Sequence, residues 1–523
     1  SSCAAALLAG TSASAVAQDA APQWGAWGEI GAQAGSESSA FLEGFMPIGQ
    51  DGDSLVFLDM RLDYGENAKG SSSFGLGLRQ VMGADLILGA NAFVDVVRTD
   101  NRKVLLGATL GLEAFTSNFD LRINAHVPLS GTAGTGSQVR STGVTVTNNQ
   151  LLETRVRQDD ATALLYGLTG EIGALFDSPF GDNQRLRAYA GGYFYDRDGF
   201  DTEAGGRLGL EYRIDDVLSL TGSRFTLGAE LVYDKSDKLD AVASARLRIP
   251  LFGGSQAPAT HGARDESRLL DRMDEGVRRD KGIRAGSRQS STSLASIPVV
   301  NPNTGATYGD IYYATQGGGG TGSFADPTSL SNAITSAGAN GIVVVLGANG
   351  DVTTAGVTLQ NGQVLAGGGS TIGVQLSDGS TTNFLLSGTA GTIDGDPGVT
   401  TVTLADNTLV TGLTLRGGTT VLDGNNVDGA TFTNLTITDA TNGISIIGAS
   451  NTSMSNLSFS NITGTSILLN NQGAVLSDIT IDGGTNGIVI ANNTGTTTLN
   501  NISVSNVSGD ALTFTNNSGA INV

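Results

Sequence analysis

Residues 24–252 alternate apolar and polar positions with period two in one short run after another. In residues 54–64, Val56, Leu58, Met60, Leu62 and Tyr64 share one face, and Phe57, Asp59, Arg61 and Asp63 the other. In residues 121–129, Leu121, Ile123, Ala125, Val127 and Leu129 oppose Arg122, Asn124 and His126. Residues 207–214 set Leu208, Leu210, Tyr212 and Ile214 against Arg207, Gly209, Glu211 and Arg213. Residues 243–251 set Ala245, Leu247, Ile249 and Leu251 against Ser244, Arg246 and Arg248. Side chains of a strand point alternately to its two faces, so this pattern predicts β-strands. Twelve such segments centre near Ile30, Phe41, Leu58, Leu76, Ala92, Leu110, Ile123, Leu168, Ala190, Leu210, Ala229 and Leu247. Turn residues such as Asp51-Gly52, Asn101 and Asp198-Gly199 separate them.

A soluble sandwich and a membrane barrel would both alternate in this way. Four features favour the barrel. Several segments run to about ten residues, the length of a tilted membrane-spanning strand. Their number is even, and the longest connection, about residues 131–160, falls where a long outer loop is expected. The apolar faces also carry Gly and Ala, not only bulky core residues. Closing the sheet would bring Asp59, Arg61, Asp63, Arg79, Asp95, Glu113, Arg122, Glu171, Glu211, Arg213, Glu230, Arg246 and Arg248 together in a polar lumen. Charges of both signs could pair there.

Residues 264–288 follow the last strand and are the most densely charged stretch, with eight Lys or Arg and six Asp or Glu. Leu269, Leu270, Met273 and Val277 form a narrow apolar stripe at helical spacing. Gly276 weakens such a helix and Gly282 ends it. One reading is a solvated linker. The other is a plug, in which a helix over 265–281 spans about 26 Å at 1.5 Å per residue, close to the ~25 Å apolar band of an outer-membrane barrel. Arg268, Asp271, Arg272, Asp274, Glu275, Arg278 and Arg279 would then face the lumen charges. Residues 289–296 read as a Ser-rich tether.

Beyond residue 297 the period changes. Apolar triplets recur at Val410/Leu413/Leu415, Phe432/Leu435/Ile437, Met454/Leu457/Phe459, Leu476/Ile479/Ile481 and Leu499/Ile502/Val504, spaced 22, 22, 22 and 23 residues apart. A second apolar pair follows in several of them, as at Ile444/Ile446 and Ile488/Ile490. A repeat this short cannot bury a core alone, so its copies must stack. The frame of a leucine-rich repeat is missing, and short β runs predict a right-handed parallel β-helix, with a capping helical turn near residues 330–334. Ahead of the second triplet position stand Gly412, Asn434, Asn456, Asp478 and Asn501. These residue types tolerate left-handed backbone, and stacked amides form ladders. Asn434, Asn456, Asp478 and Asn501 are therefore expected as structural ladder positions. The chain reaches Val523 inside a new repeat, and further coils or a terminal binding domain are expected beyond it.

Composition narrows the chemistry. A formal charge of −21 and a pI near 4.4 argue against a nucleic-acid partner. Residues 1–17 read as the truncated end of a signal peptide, with an apolar run at 3–10 and Ala15-Val16-Ala17 before Gln18. The single cysteine, Cys3, lies within it, so disulfides and thiolate metal sites are not expected in the mature chain, and no cofactor is assigned. After Ile297 there is no Lys, His, Glu, Cys or Trp, and Arg416 is the only cation. A glycan lyase or hydrolase needs a base and a charge stabiliser in one cleft. The thirteen remaining aspartates are scattered, with only Asp394/Asp396 and Asp478/Asp482 close together. The glycine run 317–320 lacks the Gly-Lys-Ser/Thr of a phosphate loop. No catalytic residue and no metal ligand is assigned.

The segment LGANAFVDV at 88–96, with residues 102–113 and 124–129, resembles the central motif of the inverse-autotransporter barrel, the intimin/invasin family. Glu153-Thr154-Arg155, GRLGLEY at 206–212 and LRIPL at 247–251 follow in matching order, so the resemblance covers about residues 24–283. It implies an all-β protein of type V secretion: a twelve-stranded outer-membrane barrel, both of whose ends lie in the periplasm. A post-barrel segment re-enters the pore and carries a passenger to the surface. Residues 273–280 sit where the family has that segment, although Gly276 departs from a continuous helix. The expected order is thus signal peptide 1–17, barrel 18–253, pore-threading linker 254–297 and β-helix passenger 298–523. The implied task is display of an adhesin. Expected partners are outer-membrane lipid, the barrel-assembly machinery, periplasmic chaperones and a surface receptor or glycan. A displayed polysaccharide lyase or hydrolase, or a plain outer-membrane channel, is the alternative.

Overall fold

The computed structural model describes residues 24–36, 38–66, 69–83, 85–234, 238–252, 268–279, 283–448, 450–470 and 473–523. The signal-peptide reading of residues 1–17 lies outside them. The chain divides into two compact units, Ser1–Gln138 with Gln158–Ser291, and Val139–Arg157 with Thr292–Val523.

The first unit is a closed antiparallel barrel. Its strands are β1 (Ala26–Ala34), β2 (Ser39–Gln50), β3 (Ser54–Gly65), β4 (Gly70–Val81), β5 (Ile87–Arg98), β6 (Val104–Phe115) and β7 (Phe119–Pro128). A hairpin of β8 (Ala133–Thr147) and β9 (Gln150–Leu164) interrupts the sequence. The barrel resumes with β10 (Tyr166–Asp177), β11 (Gln184–Asp196), β12 (Glu203–Asp215), β13 (Arg224–Asp234) and β14 (Lys238–Phe252). Strand β10 pairs with β7, and β1 closes on β14, giving twelve strands with no free edge. All twelve segment centres read from the alternation fall in these strands.

The alternation resolves into two solvents. Ile30, Leu42, Leu62, Phe74, Leu76, Leu110, Leu168 and Leu208 stand on the exposed outer wall, while Asp59, Arg79, Asp95, Arg122 and Arg187 are buried inside. Apolar side chains outside and charged ones inside are the reverse of a soluble fold and suit a barrel in lipid. Inside, aromatic rings lie across glycines of the neighbouring strand: Phe57 pairs with Gly77, Phe93 with Gly75 and Tyr189 with Gly209. A Cβ on Gly77 would stand 2.6 Å from Phe57 Cε2, so glycine here makes room for a ring.

The charged stretch departs from a pore-long helix. Residues 268–270 are helical, 271–274 are turns, and 275–279 have no regular secondary structure. The serine-rich residues expected as a tether form part of a strand instead, β15 (Ala285–Pro298), in a three-stranded sheet of order β15-β9-β8.

The second unit is a parallel β-solenoid. One sheet stacks Leu409–Thr411, Thr431–Ala440, Thr452–Ile462, Ala474–Asp482 and Thr497–Ser505 in register, and a second stacks Thr420–Asn425, Asn442–Ile447, Thr465–Asn470 and Asn486–Ala491. Phe432, Met454, Leu476 and Leu499 lie directly above one another, as do Ile437, Phe459 and Ile481. Their side chains fill one continuous core. Near its first coils the helix Leu330–Ala337 buries Leu330, Ala333, Ile334 and Ala337 against that core, with Ser329 as its N-cap.

Candidate functional site

Inside the barrel, aromatic rings and charged side chains are interleaved around residues 268–279, with Arg79 over the Phe57 ring and Arg279 over that of Phe93. Trp24, Trp27, Phe45, Phe57, Phe93 and Phe115 form one apolar cluster. Leu269, Met273 and Val277 pack among them and are almost fully buried. The stripe that fits a helix by spacing thus serves a turn followed by irregular chain.

The wall also binds the backbone of this segment. Trp24 Nε1 donates to the Leu270 carbonyl and Trp27 Nε1 to that of Asp274, each at 3.0 Å. Arg79 Nη1 donates to the carbonyls of Met273 at 2.7 Å and Glu275 at 2.5 Å. Asp59 accepts the Val277 N–H at 3.2 Å. Buried peptide groups must be paired, and side chains of the wall take the place of helical hydrogen bonds.

Charge pairs complete the seating. Arg268 meets Asp177 at 2.8 Å, and Asp271 meets Arg185 at 3.7 Å. Arg272 pairs with Asp120 at 2.9 Å and donates to the carbonyls of Thr116 and Phe119, each at 2.8 Å. Asp274 accepts from Arg248 at 2.5 Å. Glu275 lies between Arg122 at 3.1 Å and Arg213 at 3.2 Å. Arg278 is bound by the Glu211 carboxylate, and Arg279 by Asp95 at 2.9 Å.

The remaining wall charges pair with one another. Arg61 bridges Asp63 at 2.9 Å and Glu43 at 3.2 Å. Glu113 accepts from Arg79 at 2.8 Å, and Glu171 from Arg187 at 2.6 Å. Arg246 reaches Glu211 at 2.6 Å, and Glu230 accepts the Tyr189 hydroxyl at 2.7 Å. A cavity of about 150 Å³ remains beside the segment, bordered by Glu43, Arg61, Tyr189, Arg224 and Arg246.

Two hub residues are absent from the set read off the sequence. Asp120 joins Arg122, Arg187 and Arg272, and all four are buried. Asp120 continues the inward face of Arg122, Asn124 and His126 by one step, a signal the alternation already carried. Arg187 sits in β11, where Ala and Gly blur the alternation.

In the solenoid, Asn434, Asn456, Asp478 and Asn501 are left-handed at φ between 52° and 56°. Asn456 Nδ2 donates to Asn434 Oδ1 at 2.8 Å, and Asn501 Nδ2 to Asp478 Oδ1 at 2.6 Å. A second ladder, not read from the sequence, runs through Asp439 and Asn461, 3.0 Å apart. Arg416 is held by Asp351 at 2.6 Å and Asp394 at 2.9 Å. Among the described residues, no group of three or more His, Cys, Asp or Glu is placed to hold a metal ion.

Two family models agree with this architecture. Residues 11–144 match the family model for the inverse autotransporter β-domain, and residues 420–523 that for a right-handed β-helix region. Among solved structures, the chain is similar to a membrane protein studied for in-meso crystallisation, at 15% identity and TM-score 0.36, over 50% of this chain and 100% of that one. It is also similar to the β-domain of the Bordetella autotransporter BrkA, at 13% identity and TM-score 0.24, over 44% of this chain and 100% of that one. The translocator domain of autotransporter NalP from Neisseria meningitidis matches at 12% identity and TM-score 0.22, over 44% and 89%. No curated protein matches. The chain thus carries an inverse autotransporter β-domain, an outer-membrane barrel of the Gram-negative envelope, and a right-handed β-helix region that is displayed outside the cell.

Proposed function

We propose that the barrel exports its own β-helix, that residues 268–279 then seal the pore, and that the displayed β-helix acts as an adhesin. The observation that carries the seal is the placement of Glu275 between Arg122 and Arg213. A buried carboxylate without a partner is costly, whereas one held between guanidiniums and bound through its backbone stays in place. Delivery by periplasmic chaperones and the barrel-assembly machinery, and insertion into outer-membrane lipid, belong to this reading. The adhesin's partner is a receptor or glycan on another cell surface. The extended, repetitive sides of the coil and their scattered aspartates support binding over cleavage.

The test is antibody access to an epitope inserted at the exposed Gly398 turn, in intact Gram-negative cells with a complete signal peptide. A surface signal is expected, together with adhesion of those cells to a panel of host surfaces and glycans. Signal only after permeabilisation, with the barrel folded, overturns the export reading. Display without adhesion to any surface on the panel overturns the adhesin. Deletion of 268–279 should convert a barrel of low conductance into an open one, and equal conductance before and after deletion overturns the seal.

A further inference from the structure

We propose that the distal half of the β8–β9 hairpin is the N-terminal cap of the β-helix and the template on which its first coil folds. A parallel solenoid has an end problem. Its first coil presents unpaired peptide groups and bare apolar core, and a terminal capping element is required. Residues 139–157 of the hairpin belong to the same compact unit as the β-helix, and they supply both things the first coil lacks.

Leu151 is 1% exposed and lies in one core cluster with Val299, Ile311 and Ile342, while Val144 and Val146 pack at its margin. The hairpin also offers main-chain acceptors. The Ile311 N–H donates to the Asn149 carbonyl at 2.6 Å, and the Val299 N–H to that of Leu151 at 3.2 Å. The most distant tie is a pair of hydrogen bonds to a carboxylate. Glu153 is 1% exposed, and its carboxylate accepts from the Ser377 N–H at 2.8 Å and the Ser377 hydroxyl at 3.0 Å, 224 residues along the chain. A buried carboxylate with both oxygens engaged needs its partner in place. The β-helix after Ile297 contains no glutamate of its own.

Chain order gives the template its direction. The hairpin precedes every coil it touches, so it stands ready when Val299, Ile311 and Ser377 arrive. In cells this rests on the export reading above. The test therefore uses the purified full chain, refolded from urea into detergent micelles, where the route of export plays no part. Barrel closure is followed by heat-resistant gel migration, and coil formation by the rate at which residues 299–523 become protease-resistant. Leu151→Asp and Glu153→Ala should leave barrel closure unchanged and slow protection of the β-helix by at least about tenfold, as expected for positions already formed in the folding transition state. Val139→Asp, at an exposed hairpin position, should change neither rate. If Leu151→Asp blocks barrel closure, Glu153→Gln and Ser377→Ala decide the matter. Each should slow protection, and their combination should slow it no further, because the two residues share one contact. Protection at the unmodified rate in these variants overturns the template. So does faster unfolding with an unchanged folding rate, the mark of a cap that docks only after the coils exist. Failure of display in cells, with these rates slowed as described, would refute the export reading and leave the cap standing.

Discussion

Arg79 of β4 donates from Nη1 to the carbonyl of Glu275 at 2.5 Å, binding the wall to the backbone of the segment that returns through the lumen. The same guanidinium pairs with Glu113 at 2.8 Å and lies 4.8 Å from the centre of the Phe57 ring. Its donors reach Glu113 of β6 and two carbonyls of the segment while its face lies on Phe57 of β3, which a lysine could not reproduce.

Arg79→Gln should therefore loosen the plug without opening the sheet. Removing one partner of a buried pair costs about 3–5 kcal/mol in compact proteins, and here the loss falls on the seating of the plug. Planar-bilayer recordings should show brief openings absent from the unmodified protein, with heat-resistant gel migration preserved. Silent recordings would show that the segment stays seated without Arg79, on its remaining ion pairs and the packing of Leu269, Met273 and Val277.

Phe57 and Gly77 face each other across β3 and β4. Gly77→Ala places a methyl group where the ring lies, since a Cβ there would meet Phe57 Cε1 at 2.7 Å. Overpacking of this kind costs about 1–3 kcal/mol. The midpoint of heat-induced barrel opening, read by gel migration, should fall for Gly77→Ala and recover in the double variant with Phe57→Leu. A midpoint that does not recover would mean that the glycine serves the strand and not the ring.

The barrel was legible because its two faces meet different solvents, so the period-two pattern marks every strand. The route of residues 268–279 was not legible. Spacing puts Leu269, Met273 and Val277 on one stripe, and a helix is the default because it satisfies its own peptide groups. Trp24, Trp27, Arg79 and Asp59 satisfy those groups from far away in sequence, a possibility that no local pattern encodes. Strand β15 was missed for the same reason, since residues 289–296 are polar and their pairing partner β9 lies far upstream. The solenoid corners were legible from Asn and Asp at fixed spacing. Asp120 was legible in the same alternation, one residue before Leu121 and on the face of Arg122, Asn124 and His126.

Asp428 gives the β-helix an acid-sensitive contact. It accepts from the Ser450 hydroxyl and from Asn451 Nδ2 at 3.0 Å, and these hydrogen bonds hold its carboxyl below the usual range. A depressed folded pKa means that the contribution is complete above the unfolded value of about 3.9 and is lost as pH falls through the lower folded value. The side chain is exposed, so the effect is small. Urea midpoints of the β-helix, read by protease resistance, should drop slightly more between pH 5 and pH 3, roughly the carboxylate range, in the unmodified protein than in Asp428→Asn.

Asn456 tests the corner ladder most sharply. Its φ is 52°, a left-handed backbone that costs an ordinary L-residue roughly 1–2 kcal/mol. Its side chain donates to Asn434 Oδ1 at 2.8 Å, a contact worth about 1 kcal/mol net. The two contributions separate by substitution. Asn456→Gly keeps the backbone and loses the ladder, so it should cost about 1 kcal/mol or less. Asn456→Ala loses both and should cost about 2 kcal/mol. Asn456→Val adds β-branching at positive φ and should cost the most. Asn456→Asp keeps the backbone preference but sets a carboxylate against the Asn434 oxygen, unless the Asn434 amide turns to donate. Urea denaturation of the full chain, followed by protease resistance of the β-helix, should therefore rank stability as Asn, Gly, Ala, Val. Equal losses for Gly and Ala would assign the whole effect to the ladder. A Gly variant as stable as Asn would assign it to the backbone, and the stacked amides would then follow from the corners without holding them.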